Sequence, residues 1–431
     1  MILYALILGV AMIYLYGREG TFVTLTGMTY GLLALIYGLG HLYCYNVQDF
    51  DQTAQTITIS LCWMWIMLMV GNELCRLAFP KAVVRQRVLL ASWNTTPMQA
   101  GEHAHWLWRI ILLASVGLLT IAFFAFGKIG ILAQYATLRT AEDIREFRLG
   151  LTAQGGYLFQ VFTWTVAPFL AVVSLLIARR RKTMYDRAIA CALIVLVLLF
   201  KLSTYHKTQW VWVLISLAIG WYLVRRNKLP LGILLVSGIL IFLAFLLGAV
   251  LAFPELDFAQ ISTFVLYRTF ENTNEVLYKT YYVYPHYLDH THGLNIGLVH
   301  SIYGHGELIS AYTQVARFFG SYGTTYNAMF LGDAWVDFGN AGIIAVSLFI
   351  GFLVKSVDLY IASMGKTPLA IAMTASMFYG ALSLCAVSAF TSMVTGGILL
   401  LPLFVAGVDA VGKRLGGPLL RDRPYKLAQS S

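Results

Sequence analysis

Residues 326–357, YNAMFLGDAWVDFGNAGIIAVSLFIGFLVKSV, carry the chain out of a polar loop and into an apolar run. From Gly342 the only polar residue before Lys355 is Ser347. A helix crosses a bilayer in about 20 largely apolar residues, so 340–357 reads as a membrane span. Asp333 and Asp337 stand four apart on a helix leading into it. Carboxylates at a span entrance are costly against lipid and should face the protein or a watery cavity. They are expected to partner Arg268 or Arg317, or to orient a ligand or a histidine.

The same reading applied outward gives about eleven spans, near 2–16, 21–44, 55–75, 105–127, 156–178, 188–206, 209–224, 229–252, 340–357, 367–390 and 395–411. Composition agrees. The 431 residues are 59% hydrophobic and only 12% charged, with mean hydropathy +0.73, whereas a soluble domain carries about 25% charged residues. The expected fold is therefore all-α: a polytopic membrane protein, residues 1–431 forming one integral membrane domain. The net charge of +10 belongs to basic loops that stay cytoplasmic, and nucleic acid is not expected as a partner. Arg85 and Arg87, the run Arg179 to Lys182, the run Arg225 to Lys228, Lys355 with Lys366, and the tail from Lys413 alternate so as to share one face. That puts the N-terminus outside and the C-terminus in the cytoplasm. No cleavable signal peptide is evident after Met1. The five cysteines show no CxxC or metal-like spacing and read as free, buried thiols.

Two long external loops remain, 128–155 and 253–339, each expected to contain short amphipathic helices. The first sets Arg139, Arg145 and Arg148 against Glu142, Asp143 and Glu146. Part of that cluster can pair with itself along a helix, and any one arginine could instead hold a phosphate, whose oxygens match a guanidinium fork. The second loop is acidic in balance and collects His286, His290, His292, His300 and His305. A helix is expected over 264–284, with Leu266, Phe270 and Leu277 on one side and Arg268, Glu271, Asn272, Glu275 and Lys279 on the other. Arg268, soon after a span, is placed for a lipid phosphate. A second helix, Glu307 to Phe319, is apolar at Leu308, Tyr312, Val315 and Phe319, and closes on Gly320. The histidines lack a zinc-site pattern, so no metal is assigned. His300 and His305 are the candidate acid/base groups, since imidazole ordinarily titrates near neutrality; a hydrogen-bonded structural histidine is the plainer alternative for each.

The chain resembles the oligosaccharide repeat-unit polymerases of bacterial surface polysaccharides, the Wzy-type O-antigen polymerases, and their relatives the O-antigen ligases. The resemblance rests on the span layout with two large periplasmic loops and on Asn327 followed by Gly332-Asp-x-x-x-Asp-Phe-Gly-x-x-Gly342. It rests also on an arginine followed eleven positions later by glycine, seen as Arg139 with Gly150 and Arg145 with Gly156. In the second loop that spacing fails, since Lys279 follows Arg268 and Ala328 follows Arg317.

The resemblance implies glycosyl transfer from a polyprenyl-diphosphate-linked oligosaccharide at the periplasmic face of the inner membrane, with polyprenyl diphosphate leaving. Arg139 or Arg145 would hold the diphosphate with Arg268, and Arg317 would stand in reserve. His300 or His305 would be the base, with Asp333 and Asp337 supporting. It implies no cofactor, the lipid bilayer as surroundings, and a chain-length regulator and a flippase as partners to look for. Three alternatives stay open: a ligase of the same superfamily, a flippase or transporter, and a metal-dependent glycosyltransferase built on Asp49-Phe-Asp51. Against the transporter stand the lack of an inverted repeat and the few charges within the spans.

Overall fold

The computed structural model describes residues 1–20, 22–45, 51–99, 105–125, 156–203, 209–228, 243, 257–267, 271–304, 309–321 and 329–415. In chain order the helices are α1 (Ile2–Glu19), α2 (Leu25–Cys44), α3 (Asp51–Ala78), α4 (Pro80–Ser92), α5 (His105–Ala125), α6 (Gly156–Arg181), α7 (Met184–Ser203) and α8 (Gln209–Leu223). There follow α9 (Phe258–Leu266), α10 (Asn272–Val283), α11 (Gly297–Tyr303), α12 (Ala311–Phe318), α13 (Phe330–Ser363), α14 (Pro368–Ala386), α15 (Ala389–Val394) and α16 (Leu400–Leu415). The described residues form no strand beyond one isolated bridge, Phe22 with Lys228.

Among the described residues seven helices are long and apolar enough to cross a membrane: α1, α2, α3, α5, α6, α13 and α14. This is the architecture of a polytopic membrane protein. Helices also stand where three further spans are expected, but α8 and α16 have 15 and 16 residues, short of the about 20 a crossing takes. The third, α7, carries Asp186, Arg187 and Lys201. The expected span 229–252 lies outside the described residues apart from Leu243. None of the five cysteines forms a disulfide; Cys44, Cys75 and Cys385 are buried as expected, whereas Cys62 is half-buried and Cys191 is exposed on α7.

The described residues pack as two compact units. The first comprises Met1–Thr96, Tyr222–Ser363 and Ser376–Leu399, and its spine is α3 against α13. Two glycines permit that crossing. A methyl group on Gly71 would overlap the Leu348 carbonyl, and one on Gly351 would overlap the Leu68 carbonyl. Small residues let helix backbones approach where lipid offers no hydrophobic drive to association.

An ionic knot closes one end of this unit. Glu19 Oε1 accepts from Arg76 at 2.5 Å and from Lys355 at 2.7 Å, and Lys355 also donates to Gln86. Arg18 and Tyr14 hold Glu73 beside it. Asp358 accepts from the backbone N–H groups of Leu25 and Thr26 and from the Thr26 hydroxyl, placing a carboxylate on the positive start of α2. Lys355, expected among the loop charges, is instead 1% exposed inside α13; a buried ammonium needs such a partner. At the opposite end Tyr4 bonds to the Tyr37 carbonyl, and His41 bridges Tyr278 and Thr58. Helix ends that alternate along the chain are thus sorted to opposite ends of the unit, as the span pattern requires.

The second unit comprises Pro97–Trp221, Met364–Ala375 and Leu400–Ser431. Its helix α6 ends in Arg179, Arg180 and Arg181, with Lys182 left-handed after them, so cations sit on the negative helix terminus. Arg179 lies 3.6 Å from the centre of the Trp221 ring. Thr183 caps the start of α7, its hydroxyl oxygen accepting from the Asp186 N–H and its O–H donating to the Asp186 carboxylate, and Asp186 also meets Arg109. Lys201 lies over the Trp164 ring.

Candidate functional site

The first unit brings residues 281–295 of the expected 253–339 loop onto the start of α13. Helix α10 is not a surface helix. Asn274, Leu277, Tyr278, Thr280 and Tyr281 are buried, Asn274 donates to the Ile36 carbonyl of α2, and Tyr281 stacks on Trp335 at 4.3 Å between ring centres. Its expected polar stripe pairs with itself, Lys279 to Glu275 at 2.6 Å. The second expected helix is shorter than read. Ser310 caps it, accepting from the Thr313 N–H, and Gly320 (φ 72°) closes it, with Tyr312 and Val315 buried as anticipated.

The decisive feature is a break in α13. Gly339 has φ 56° and ψ −138°, a conformation essentially reserved for glycine. The regular ladder is interrupted there, and the carbonyls of Val336 and Asp337 take donors from elsewhere. The Thr291 N–H donates to Val336 O and the His292 N–H to Asp337 O, both at 3.0 Å. His290 adds an Nδ1 contact to Val336 O at 3.2 Å. The Asp337 side chain completes the clamp, with Oδ1 accepting from the Thr291 hydroxyl and from the Gly293 N–H. One turn earlier, Asp333 Oδ1 accepts from Asn295 Nδ2 at 2.8 Å, while Asn295 Oδ1 accepts from the Ala311 N–H. The two carboxylates therefore fasten residues 291–295, and through Asn295 the start of α12, to the entrance of a span.

A cleft of about 500 Å³ opens on this loop. His290, His292 and His300 line it with Asp289, Asn295 and Gln314. Gly304 lies against the His300 ring, where no side chain would fit. His290 stands edge-on to Trp335. A carbonyl can only accept, so the neutral His290 ring carries its proton on Nδ1 and its lone pair on Nε2. His292 is left-handed (φ 51°), a conformation uncommon for a residue other than glycine. Behind the cleft, burial pushes the Tyr284 phenol up to about 12, with Asp337 adding to the rise, and its hydroxyl donates to Gln314 Oε1. Burial and then the Asp333 carboxylate hold the Tyr312 phenol well above its ordinary value.

Of the residues expected to act, His300 lines the cleft, while Asp333 and Asp337 lie behind it and hold its loop. Arg317 is exposed on α12 and is not among the bonding partners of either carboxylate. Arg139, Arg145, Arg268 and His305 lie outside the described residues, as do Asn327 and Asp49. Among the described residues no group of three His, Cys, Asp or Glu side chains could hold a metal ion. Sequence reasoning named His290 only as one of five loop histidines and passed over Thr291 and Asn295, although the polar run Asp289-His-Thr-His-Gly-Leu-Asn295 is what two buried carboxylates would need to meet. No family model, curated protein or solved structure matches the chain.

Proposed function

We propose that the protein polymerises polyprenyl-diphosphate-linked oligosaccharide repeat units for a bacterial surface polysaccharide. It would act at the periplasmic face of the inner membrane, with its N-terminus outside and its C-terminus in the cytoplasm. One observation carries the reading: a cleft lined by three histidines is clamped by buried carboxylates to the entrance of a membrane helix, where a lipid-borne substrate presents its head group. In the step, a sugar hydroxyl oxygen of one lipid-linked unit bonds to the anomeric carbon of another. The bond from that carbon to the diphosphate oxygen breaks, polyprenyl diphosphate departs with the electron pair, and the hydroxyl proton passes to an imidazole. His300 is the base within the cleft, and His305 is the other candidate. Arg139 or Arg145 with Arg268 would hold the departing diphosphate, because charge develops there in the transition state; Arg317 stands in reserve. The activated bond already resides in the lipid diphosphate, so neither nucleotide nor metal is needed.

Reconstitution tests this. Purified protein in liposomes with lipid-linked repeat units, chelator present and nucleotide absent, should yield a ladder of multiples. Unextended single units under those conditions, or extension only on adding a nucleotide or a divalent metal, would overturn it.

A further inference from the structure

A polymerase needs two different pockets, one for a charged diphosphate and one for the sugar that supplies the hydroxyl, and the described residues that line the cleft have the chemistry of the second. No lysine or arginine is among the described residues that line it. Its charged side chain is the exposed carboxylate of Asp289, and Asp333 and Asp337 stand behind its loop. Among these described residues a diphosphate would meet like charge and none of the cations that phosphate recognition uses.

What the cleft does offer suits a neutral polyol. Asp289 accepts from hydroxyls, His290 and His292 contribute imidazoles, and the Tyr303 ring, 72% exposed at the edge, presents an apolar face. Leu294 and Ile309 add an apolar rim. Such a pocket, largely apolar with a few placed polar groups, is the usual form of a small-molecule site. Its walls are preformed: Thr291 is committed to Asp337, Asn295 to Asp333 and Ala311, and Gln314 to Tyr284 and the Ile309 carbonyl.

We propose that this cleft is a subsite for an uncharged saccharide, the sugar presenting the attacking hydroxyl, and that the diphosphate is held elsewhere. The assignment of that sugar as acceptor rests on the polymerase reading; the recognition of a neutral saccharide is tested without it. Saturation-transfer NMR on the purified full-length protein in nanodiscs would use glucose, galactose, rhamnose and N-acetylglucosamine as probes and inorganic pyrophosphate as competitor. At least one sugar should receive saturation, and pyrophosphate should leave that signal unchanged. Leu294→Trp, which places bulk on an exposed edge of the cleft, and Asp289→Ala should each weaken binding by about tenfold or more.

Saturation reaching none of the sugars, signals equal in wild type and Leu294→Trp, or displacement by pyrophosphate would each overturn the proposal. The two readings separate cleanly. Sugar binding at the cleft together with full-length glycan in cells lacking the protein would remove the polymerase and keep the subsite. Displacement by pyrophosphate together with single repeats in those cells would do the reverse.

Discussion

Asp337→Ala should release the histidine loop while leaving the helix pair beneath it intact. The side chain accepts hydrogen bonds from the Thr291 hydroxyl and from the buried Gly293 N–H. A typical net hydrogen bond contributes about 1 kcal/mol, and a buried donor left unpaired costs a further 1–3 kcal/mol or so. The Thr291 hydroxyl can turn to water and Gly293 cannot, so the local cost is about 3 kcal/mol, or roughly 150-fold in the opening equilibrium. Asp337→Asn keeps the acceptor oxygen and should cost about 1 kcal/mol. Amide hydrogen exchange read by mass spectrometry would compare peptides covering 288–296 with peptides from α3 and the second half of α13. The alanine variant should lose protection by about two orders of magnitude in the first set and little in the others. Unchanged protection over 288–296 would refute the clamp, and so would an equal loss across α3, which would mean global rather than local opening.

Four further perturbations probe other parts of the account. Gly339→Val forces a β-branched residue into φ 56° with its Cβ 3.2 Å from His290 Nε2; strain of about 1–3 kcal/mol should lower the Tm, and an unchanged thermal transition would mean the break is not required. Lys355→Met removes one of the two cations on Glu19 and should destabilise by about 3 kcal/mol. Glu19→Gln added to Lys355→Met should recover part of that loss; no recovery in thermal unfolding would show that the charge of Glu19 is not what Lys355 answers. Arg145→Ala and Arg268→Ala should each abolish polymer formation with membrane insertion intact, and wild-type chain lengths in both would sink the diphosphate assignment. Alongside them, His300→Ala and His305→Ala at equal, full activity would remove these two histidines from the mechanism.

The apolar runs made the long helices legible, because length and hydropathy are local properties. Ser310 and Gly320 likewise marked α12 through capping chemistry confined to a few residues. Asp333 and Asp337 could be singled out by their spacing at a span entrance, yet their partners could not. Asn295 and Thr291 lie 38 and 46 positions upstream, and what brings them there is the conformation of Gly339. That break divides α13 into a helix that carries the two carboxylates and the span that starts at 340, both where the sequence put them, and it is why the role of His290 was not legible: its place depends on a carbonyl that accepts from the loop at the break. Lys355 misled for a related reason. Its partner Glu19 is 336 positions away, so a lysine near the end of an apolar run read as a loop charge.

The polymerase reading is tested most directly by the surface glycan of cells in which this protein is deleted, resolved by length on a gel. The account predicts glycan capped at a single repeat unit, with lipid-linked repeats accumulating behind the block. Glycan of unchanged length would contradict it, and complete absence of glycan from the surface would point to a ligase or a flippase.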